Sequence, residues 1–353
     1  MDPVEKIFDQ VQSSIANDRH LGIQLYASLD GEVLIDAAFG EAAPGVPLSR
    51  TDAVPWICST KLLGAVAMSA LMVRHGVKPT SMVAEFVPEY GRLGKHEVTI
   101  GQLMSHTVPY AVENENASYS KDHVTALAAV CSMPIAAAGG SRAHYSAIAS
   151  WVVVAEMVSR LSGEAFEDHV RRSVLEPLEM SHTVFGAPSS GGEDRPDLLP
   201  LYEWTSDDPS AELKPVSFWP GHPSVGAHGP AAELGRVLEC LVSGGRWRGR
   251  EVISPEAADL MTTTCRSDLA DPYFMGLDVA WGMGACVDPL LLGAPSKARV
   301  VGHTGSNCQI AVGDRDQRLV VCHMATNEAF ESVGPRRLES RVVRELFKLT
   351  AGS

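Results

Sequence analysis

The chain has 353 residues, of which 45% are hydrophobic and 20% charged, and its formal net charge is −14. With a mean hydropathy close to zero, this is the profile of a folded protein with one large or two interleaved cores, and it speaks against disorder. So acidic a balance, without clustered Lys and Arg, argues against nucleic acid and anionic membranes as partners and for small molecules.

In chain order, residues 3 to 17 predict a helix with Val4, Ile7, Phe8, Val11 and Ile15 on one face. "LGIQLYASLDGEVLIDAAFG" predicts two strands joined at Asp30-Gly31, the strongest short hairpin signal. From about 59 to 75 follows a helix that is apolar almost all round and stops at Gly76, which predicts burial. Residues 77 to 270 read as helices between Pro and Gly loops. Among them, "SAIASWVVVAEMVSRLSG" ends at Gly163, "EAFEDHVRRSVLEPLEM" is stopped by Pro177, and "PAAELGRVLECLVSGG" is a further helix. Between 187 and 224 the chain is loop-rich, with "APSSGGEDRPD" its most flexible piece and "FWPGHPSVGAHG" a turn suited to lining a site. "ARVVGHTG" and "CQIAVGDRDQRLVVCHMAT" then predict three strands with a hairpin near Asp314 to Gln317, before a charged closing helix.

Strands at both ends with helices between predict an α/β (α+β) fold, one antiparallel sheet built from both termini and flanked by helices. The expected division is a sheet domain from 1–57 and 275–353 and a mainly helical insertion at 58–274, with a site at the seam. The charged opening has no apolar stretch of signal-peptide length, and the run in "SAIASWVVVAEMV" is broken by Glu156, so the expected location is cytoplasmic and off the membrane. Seven cysteines without C-x-x-C spacing suggest neither a disulfide framework nor zinc. The absence of phosphate-binding glycine motifs and of metal-ligand spacing predicts no cofactor and no metal.

Three short boxes carry the chemistry: "CSTK" at 58–61, "YSA" at 145–147 and "HTG" at 303–305. In this order they resemble the S-x-x-K, Y-x-N and K-T-G (or H-T-G) boxes of the serine β-lactamase and penicillin-binding-protein superfamily, above all its class C branch of esterases, aminopeptidase-like hydrolases and acyltransferases. "VTIGQLMSHT", "LSGEAFEDHVRRSVLEPLEMSHTVF" and "GGRWRGREVISPEAADLM" are similar to that branch's connecting segments, so the likeness spans nearly the whole chain. The resemblance implies a nucleophile at the mouth of the buried helix and a lysine one turn on. Here the aligned nucleophile is Cys58, three positions before Lys61. Ser59 is displaced by about 100° around a helix.

Thiols ionise more readily than hydroxyls, near pH 8.5 when free and lower beside a cation or a helix N-terminus; Cys58 is placed beside both. Thiolate attack on an ester or thioester would give a thioester that an amine or hydroxyl discharges, so acyl transfer fits better than β-lactam hydrolysis. The resemblance further implies Lys61 as electrostatic partner, Tyr145 as proton relay, His303 as a partner of Tyr145 or of a substrate carboxylate, and an oxyanion hole from the amides of Cys58 and Ser306. Thr304, Gly305, Asn307, His228 and Trp219 are candidate substrate contacts; Asn307 and Cys308 stand where hydrolase relatives often have a second glycine, and Ala147 replaces the usual Asn of the second box. His106 and His228 read mainly as loop residues.

The predicted function is acyl transfer in specialised metabolism, from a small thioester or ester donor to a small acceptor, with an acyl carrier protein or CoA thioester as further candidate donors. Three alternatives stand beside it: an esterase or amide hydrolase, a catalytically silent small-molecule-binding protein, and a cysteine introduced in place of a native serine.

Overall fold

The computed structural model describes residues 3–17, 20–112, 115–186, 198–204, 212–305, 309–328 and 337–350. Its main sheet has six antiparallel strands: β1 (Gly22–Leu29), β2 (Glu32–Ala43), β3 (Val46–Pro47), β4 (Val300–Gly305), β5 (Gln309–Asp314) and β6 (Leu319–Ala325), in the spatial order β4-β5-β6-β1-β2-β3. Strands from both ends of the chain meet at the β1–β6 pairing, with Tyr26 opposite Cys322. The predicted α/β fold with one antiparallel sheet from both termini is thus present. Asp30 (φ 51°) and Gly31 (φ 81°) make the two-residue turn between β1 and β2. Consecutive left-handed residues match the twist of a hairpin, and this is why an Asp-Gly pair signals one.

Nine α-helices are described: α1 (Pro3–Ala16), α2 (Lys61–His75), α3 (Ile100–Met104), α4 (His123–Ser132), α5 (Ala149–Ser162), α6 (Phe166–Val170), α7 (Ala231–Val242), α8 (Pro255–Thr262) and α9 (Leu338–Thr350). β1 is buried along almost its whole length, because both of its faces are covered. Ile23, Leu25 and Ala27 share a core with α1 and α9. The alternating residues serve α7 on the other face: the Tyr26 and Ser28 hydroxyls each donate to Glu239 at 2.6 Å, and Gln24 accepts from the Ala231 amide at 2.9 Å. The helix read in "PAAELGRVLECLVSGG" lies on the sheet rather than in the helical layer, since its amphipathic face is matched by polar groups that β1 presents to it.

The helical layer is built on α2, which packs against α5 and α8. α2 ends as expected at Gly76, whose left-handed φ of 66° lets its amide cap the carbonyls of Met72 and Val73. By length and hydropathy the segment Ile57–His75 would pass for a membrane span, yet 83% of its apolar window is buried inside the protein, as befits a central core helix. At its other end α2 is preceded by a 3₁₀ turn, Ile57–Thr60, where the helical layer meets β4.

Candidate active site

The 3₁₀ turn decides which side chain faces out. With about three residues per turn, side chains three apart eclipse one another, so Cys58 and Lys61 share a side. Ser59 falls inward at 0% exposure, its hydroxyl without a partner among the described residues, while Cys58 keeps 8%. Three anchors fix the turn. The Trp56 amide and indole donate to the carbonyls of Ala227 and Gly229, both at 2.8 Å. The Thr60 hydroxyl accepts from the Ala227 amide at 3.0 Å, and Gln309 of β5 donates to the Pro55 carbonyl at 2.6 Å. Ile57, a β-branched residue, is held at φ 48°. Such a conformation costs on the order of 1–3 kcal/mol and persists only where the surroundings impose it.

Lys61 has no solvent exposure. Its Nζ donates to the Ser224 carbonyl at 3.1 Å and lies 5.5 Å from the centre of the Tyr145 ring. Burial pushes its pKa below the ordinary lysine range, and the Cys58 thiol and the Glu115 carboxylate oppose that shift. Tyr145 is pushed the other way, well above the usual phenol value, first by burial and then by Cys58. The structure therefore brings Cys58, Lys61 and Tyr145 together and differentiates them. The amine is the group that yields a proton more easily than usual, and the phenol is held protonated as a donor.

His303 is also brought to this centre, though not in the predicted hydrogen bond. Its ring lies 6.3 Å from that of Tyr145, and its Nδ1 pairs with its neighbour's carbonyl, Thr304 O, at 2.6 Å. A carbonyl accepts only, so Nδ1 carries the proton and Nε2, which has no partner among the described residues, is a bare acceptor. Burial and the Lys61 charge push its pKa down to about 3, so it is neutral at physiological pH. Gly305 ends β4 against the turn: a Cβ there would stand 2.7 Å from Gln309 Oε1 and 3.2 Å from the Trp56 carbonyl, so a larger residue would have to displace Gln309 and press on the turn. Thr304 beside it is half-buried. Ser306 and Asn307, the candidates that follow Gly305 in the sequence, lie outside the described residues, as does Cys308.

Two substrate candidates are placed elsewhere. His228 is 2% exposed, its Nδ1 lies 2.9 Å from the Gly226 carbonyl, and its backbone pairs with Pro55 and Val184. It braces the strand in front of the turn. Trp219 borders a cavity of about 200 Å³ with His123, Val152, Phe166 and His222, among whose lining residues Cys58 does not appear. The same "FWPGHPSVGAHG" turn does reach the centre as expected, through the Ser224 carbonyl.

Several neighbours of the centre carry no signal in the local sequence. Tyr273 stacks on Tyr145 with ring centres 4.5 Å apart and remains 59% exposed, so it forms the outer lip. Trp281 lies 5.7 Å from Tyr145 and 4.5 Å from His106. His106 serves its loop, as expected, and also packs 4.5 Å from Tyr145; its Nδ1 accepts from the Ser146 amide at 3.2 Å. Glu115 holds the same turn from behind, accepting from the Ser146 hydroxyl and from the amides of Ile148 and Ala149.

A family model described as Beta-lactamase matches residues 5–342. Among solved structures, the chain is similar to a penicillin-binding protein homolog from Caulobacter crescentus, with a TM-score of 0.80 and 21% identity over 99% of this chain and 98% of that one. It is similar to EstCE1, a hydrolase with promiscuous acyltransferase activity, at TM-score 0.78 and 18% identity over 97% and 98% of the two chains. A family VIII carboxylesterase gives a TM-score of 0.81 and 18% identity over 99% and 98%. At these identities the solved structures establish a shared fold.

Proposed function

The chain is an enzyme of the Beta-lactamase family, and from that premise we propose that it transfers acyl groups through a covalent thioester on Cys58. The donor is an ester or thioester and the acceptor a small amine or alcohol, with water as the competing acceptor. The observation that carries this is the orientation of the turn: the thiol keeps 8% exposure beside an amine and a phenol, while the neighbouring hydroxyl is sealed in the core at 0%.

In the first step Lys61 takes the thiol proton, the sulfur bonds to the donor carbonyl carbon, and the carbon–oxygen or carbon–sulfur bond of the donor breaks. Tyr145 supplies the proton that the departing alkoxide or thiolate needs and is reprotonated from Lys61. In the second step the acceptor attacks the thioester, its proton passes back through Tyr145, and the Cys58 thiol is restored. Lys61 and Tyr145 thus move one proton out and one proton back. The likeness to EstCE1 and to the carboxylesterase supports ester chemistry, and a thioester on sulfur discharges to amines more readily than an oxygen ester does.

Incubation with p-nitrophenyl acetate or an S-acyl-N-acetylcysteamine, followed by intact-mass measurement and peptide mapping, tests the proposal. One acyl adduct on Cys58, absent in Cys58→Ala and discharged faster when a primary amine is added, is the expected result. Acylation confined to the exposed Cys265, or no adduct at all, overturns it.

A further inference from the structure

A buried carboxylate stands behind the Tyr145 turn, and none of the three sequence boxes contains it. The Glu115 side chain is 9% exposed. Its Oε2 accepts from the Ser146 hydroxyl at 3.0 Å, the Ile148 amide at 2.7 Å and the Ala149 amide at 2.8 Å, while Oε1 lies 3.4 Å from His144 Nε2. One side chain therefore grips residues on both sides of Tyr145. The last two of those amides belong to the start of α5, whose own Ile148 provides no side-chain cap. An anion at that position satisfies orphan N–H groups and meets the positive end of the helix dipole. Ala147, at the point of the turn, offers only a methyl group; within the turn the Ser146 hydroxyl accepts from the Ser150 amide at 2.9 Å, and Glu115 adds a hold from outside.

Burial works to raise the Glu115 pKa, but the hydrogen bonds from His144, Ala149, Ile148 and Ser146 outweigh it and hold the group below the usual carboxylate range. It is an anion at neutral pH. Its charge reaches past the turn, since Glu115 and Cys58 are the two groups that raise Lys61 against its burial.

We propose that Glu115 is a positioning residue for the centre: it fixes the 144–149 turn so that Tyr145 stays against Cys58, and its negative charge offsets the buried Lys61 cation. The inference rests on the reading that Cys58 is acylated, and its test separates the two. In the acylation proposed above Lys61 takes the Cys58 proton and must first be deprotonated itself, so the ascending limb of a pH–rate profile reports loss of the Lys61 proton. A nearby anion opposes that loss. The other titratable groups facing the pair are Tyr145 with Tyr273 on its outer side, His106, His222 from the loop that carries Ser224, and His303 on β4; Glu115 itself faces His144 and Tyr110.

The experiment measures Cys58 acylation by p-nitrophenyl acetate against pH in the full chain, its Glu115→Gln and Glu115→Asp variants, with thermal unfolding of each. Glu115→Gln is expected to acylate about tenfold more slowly and to move the ascending limb to lower pH by roughly half a unit, because the opposing charge is gone. Glu115→Asp keeps the charge but withdraws the oxygens by one methylene, so slower acylation with an unmoved limb is expected. A Glu115→Gln profile that coincides with the parent, or drops uniformly with an unmoved limb and a lowered melting temperature, overturns the inference while leaving Cys58 acylation intact. Should Glu115→Gln not fold, Glu115→Asp decides alone: parental rates overturn the positioning. A parent chain that forms no Cys58 adduct defeats both readings.

Discussion

Lys61 and Lys95 are both buried to 0% exposure, and each lies over a tyrosine ring, at 5.5 Å and 5.4 Å. Burial pushes both amines below the ordinary lysine range. They differ in what surrounds them. Lys95 donates to the carbonyls of Cys131 and Met133, closing the C-terminal end of α4 with a cation where the helix dipole favours one. Carbonyl oxygens do not change charge, so that amine is a rivet. Lys61 gives one bond to a carbonyl, and the Cys58 side chain is its other hydrogen-bond partner. Burial and a tyrosine ring are common to the two amines, so the partners at the nitrogen are what separate them.

Removing each amine in turn gives the largest separation. Lys61→Met is expected to slow Cys58 acylation by about 10²–10⁴-fold, while stability holds or rises, because an apolar side chain replaces a buried charge. Lys95→Met leaves the carbonyls of Cys131 and Met133 short of a donor, which costs about 1–3 kcal/mol, with acylation within about twofold of the parent. Urea denaturation and single-turnover acylation on both variants check the pair. A Lys61→Met chain that acylates normally, or a Lys95→Met chain that is as stable as the parent, breaks the comparison on the corresponding side.

Acid sharpens it further, since Lys61 shares its surroundings with histidines and Cys131 is the ionisable group that acts on Lys95. Burial and then the Lys61 charge push His303 and His222 down to about 3, and His106 well below its ordinary value. An unfolded histidine titrates near 6.5, so the unfolded chain binds more protons between about pH 6.5 and 3. The stability tied to the neutral rings is complete above pH 6.5 and is lost as pH falls towards 3. At pH 5 the loss amounts to about 2 kcal/mol each for His303 and His222. His303→Asn is therefore expected to lose about 2 kcal/mol less than the parent between pH 7 and pH 5 in urea denaturation. Equal losses in the two chains would mean that the ring is not kept neutral by its burial.

What the sequence disclosed divides along similar lines. The spacing of Cys58 and Lys61 was legible because a helix converts a separation of three into a shared face, and the Asp30-Gly31 turn because two left-handed residues have few other uses. The outline of the sheet followed from strand patterns at both ends. Orientation was harder. The periodicity of α7 shows an apolar face without saying that Tyr26, Ser28 and Gln24 of β1 await it. Trp219 and His228 lie in a Pro and Gly turn whose local pattern does not say which residue turns towards the centre; a carbonyl does so, that of Ser224. Glu115 sits in "VENENAS", one of two acids in a polar loop, and only the tertiary approach of the Tyr145 turn makes it a clamp. Lys95, in "GRLGKHEVT", resembles a solvated loop lysine until the end of α4 closes over it.

The smallest expected effects come from the tyrosines that accompany the two amines. Beside Lys95, Tyr90 and Tyr110 share a hydrogen bond of 2.9 Å between buried hydroxyls. Beside Lys61, Tyr145 meets Tyr273 face to face at a tilt of 31°, and the outer ring is largely in solvent. Tyr110→Phe removes one buried hydrogen bond and is expected to cost about 1 kcal/mol of stability with no change in acylation. Tyr273→Ala removes the exposed ring against which an aryl donor would stack, a contact worth about 1 kcal/mol. Because that ring is exposed at the lip of the cleft, the loss should fall on the acyl donor, as an increase in KM for aryl esters of about fivefold. Folding should be nearly unaffected. If Tyr273→Ala instead lowers stability and leaves KM alone, the outer ring belongs to the scaffold, and the contrast between the two lysine sites ends at the inner phenol.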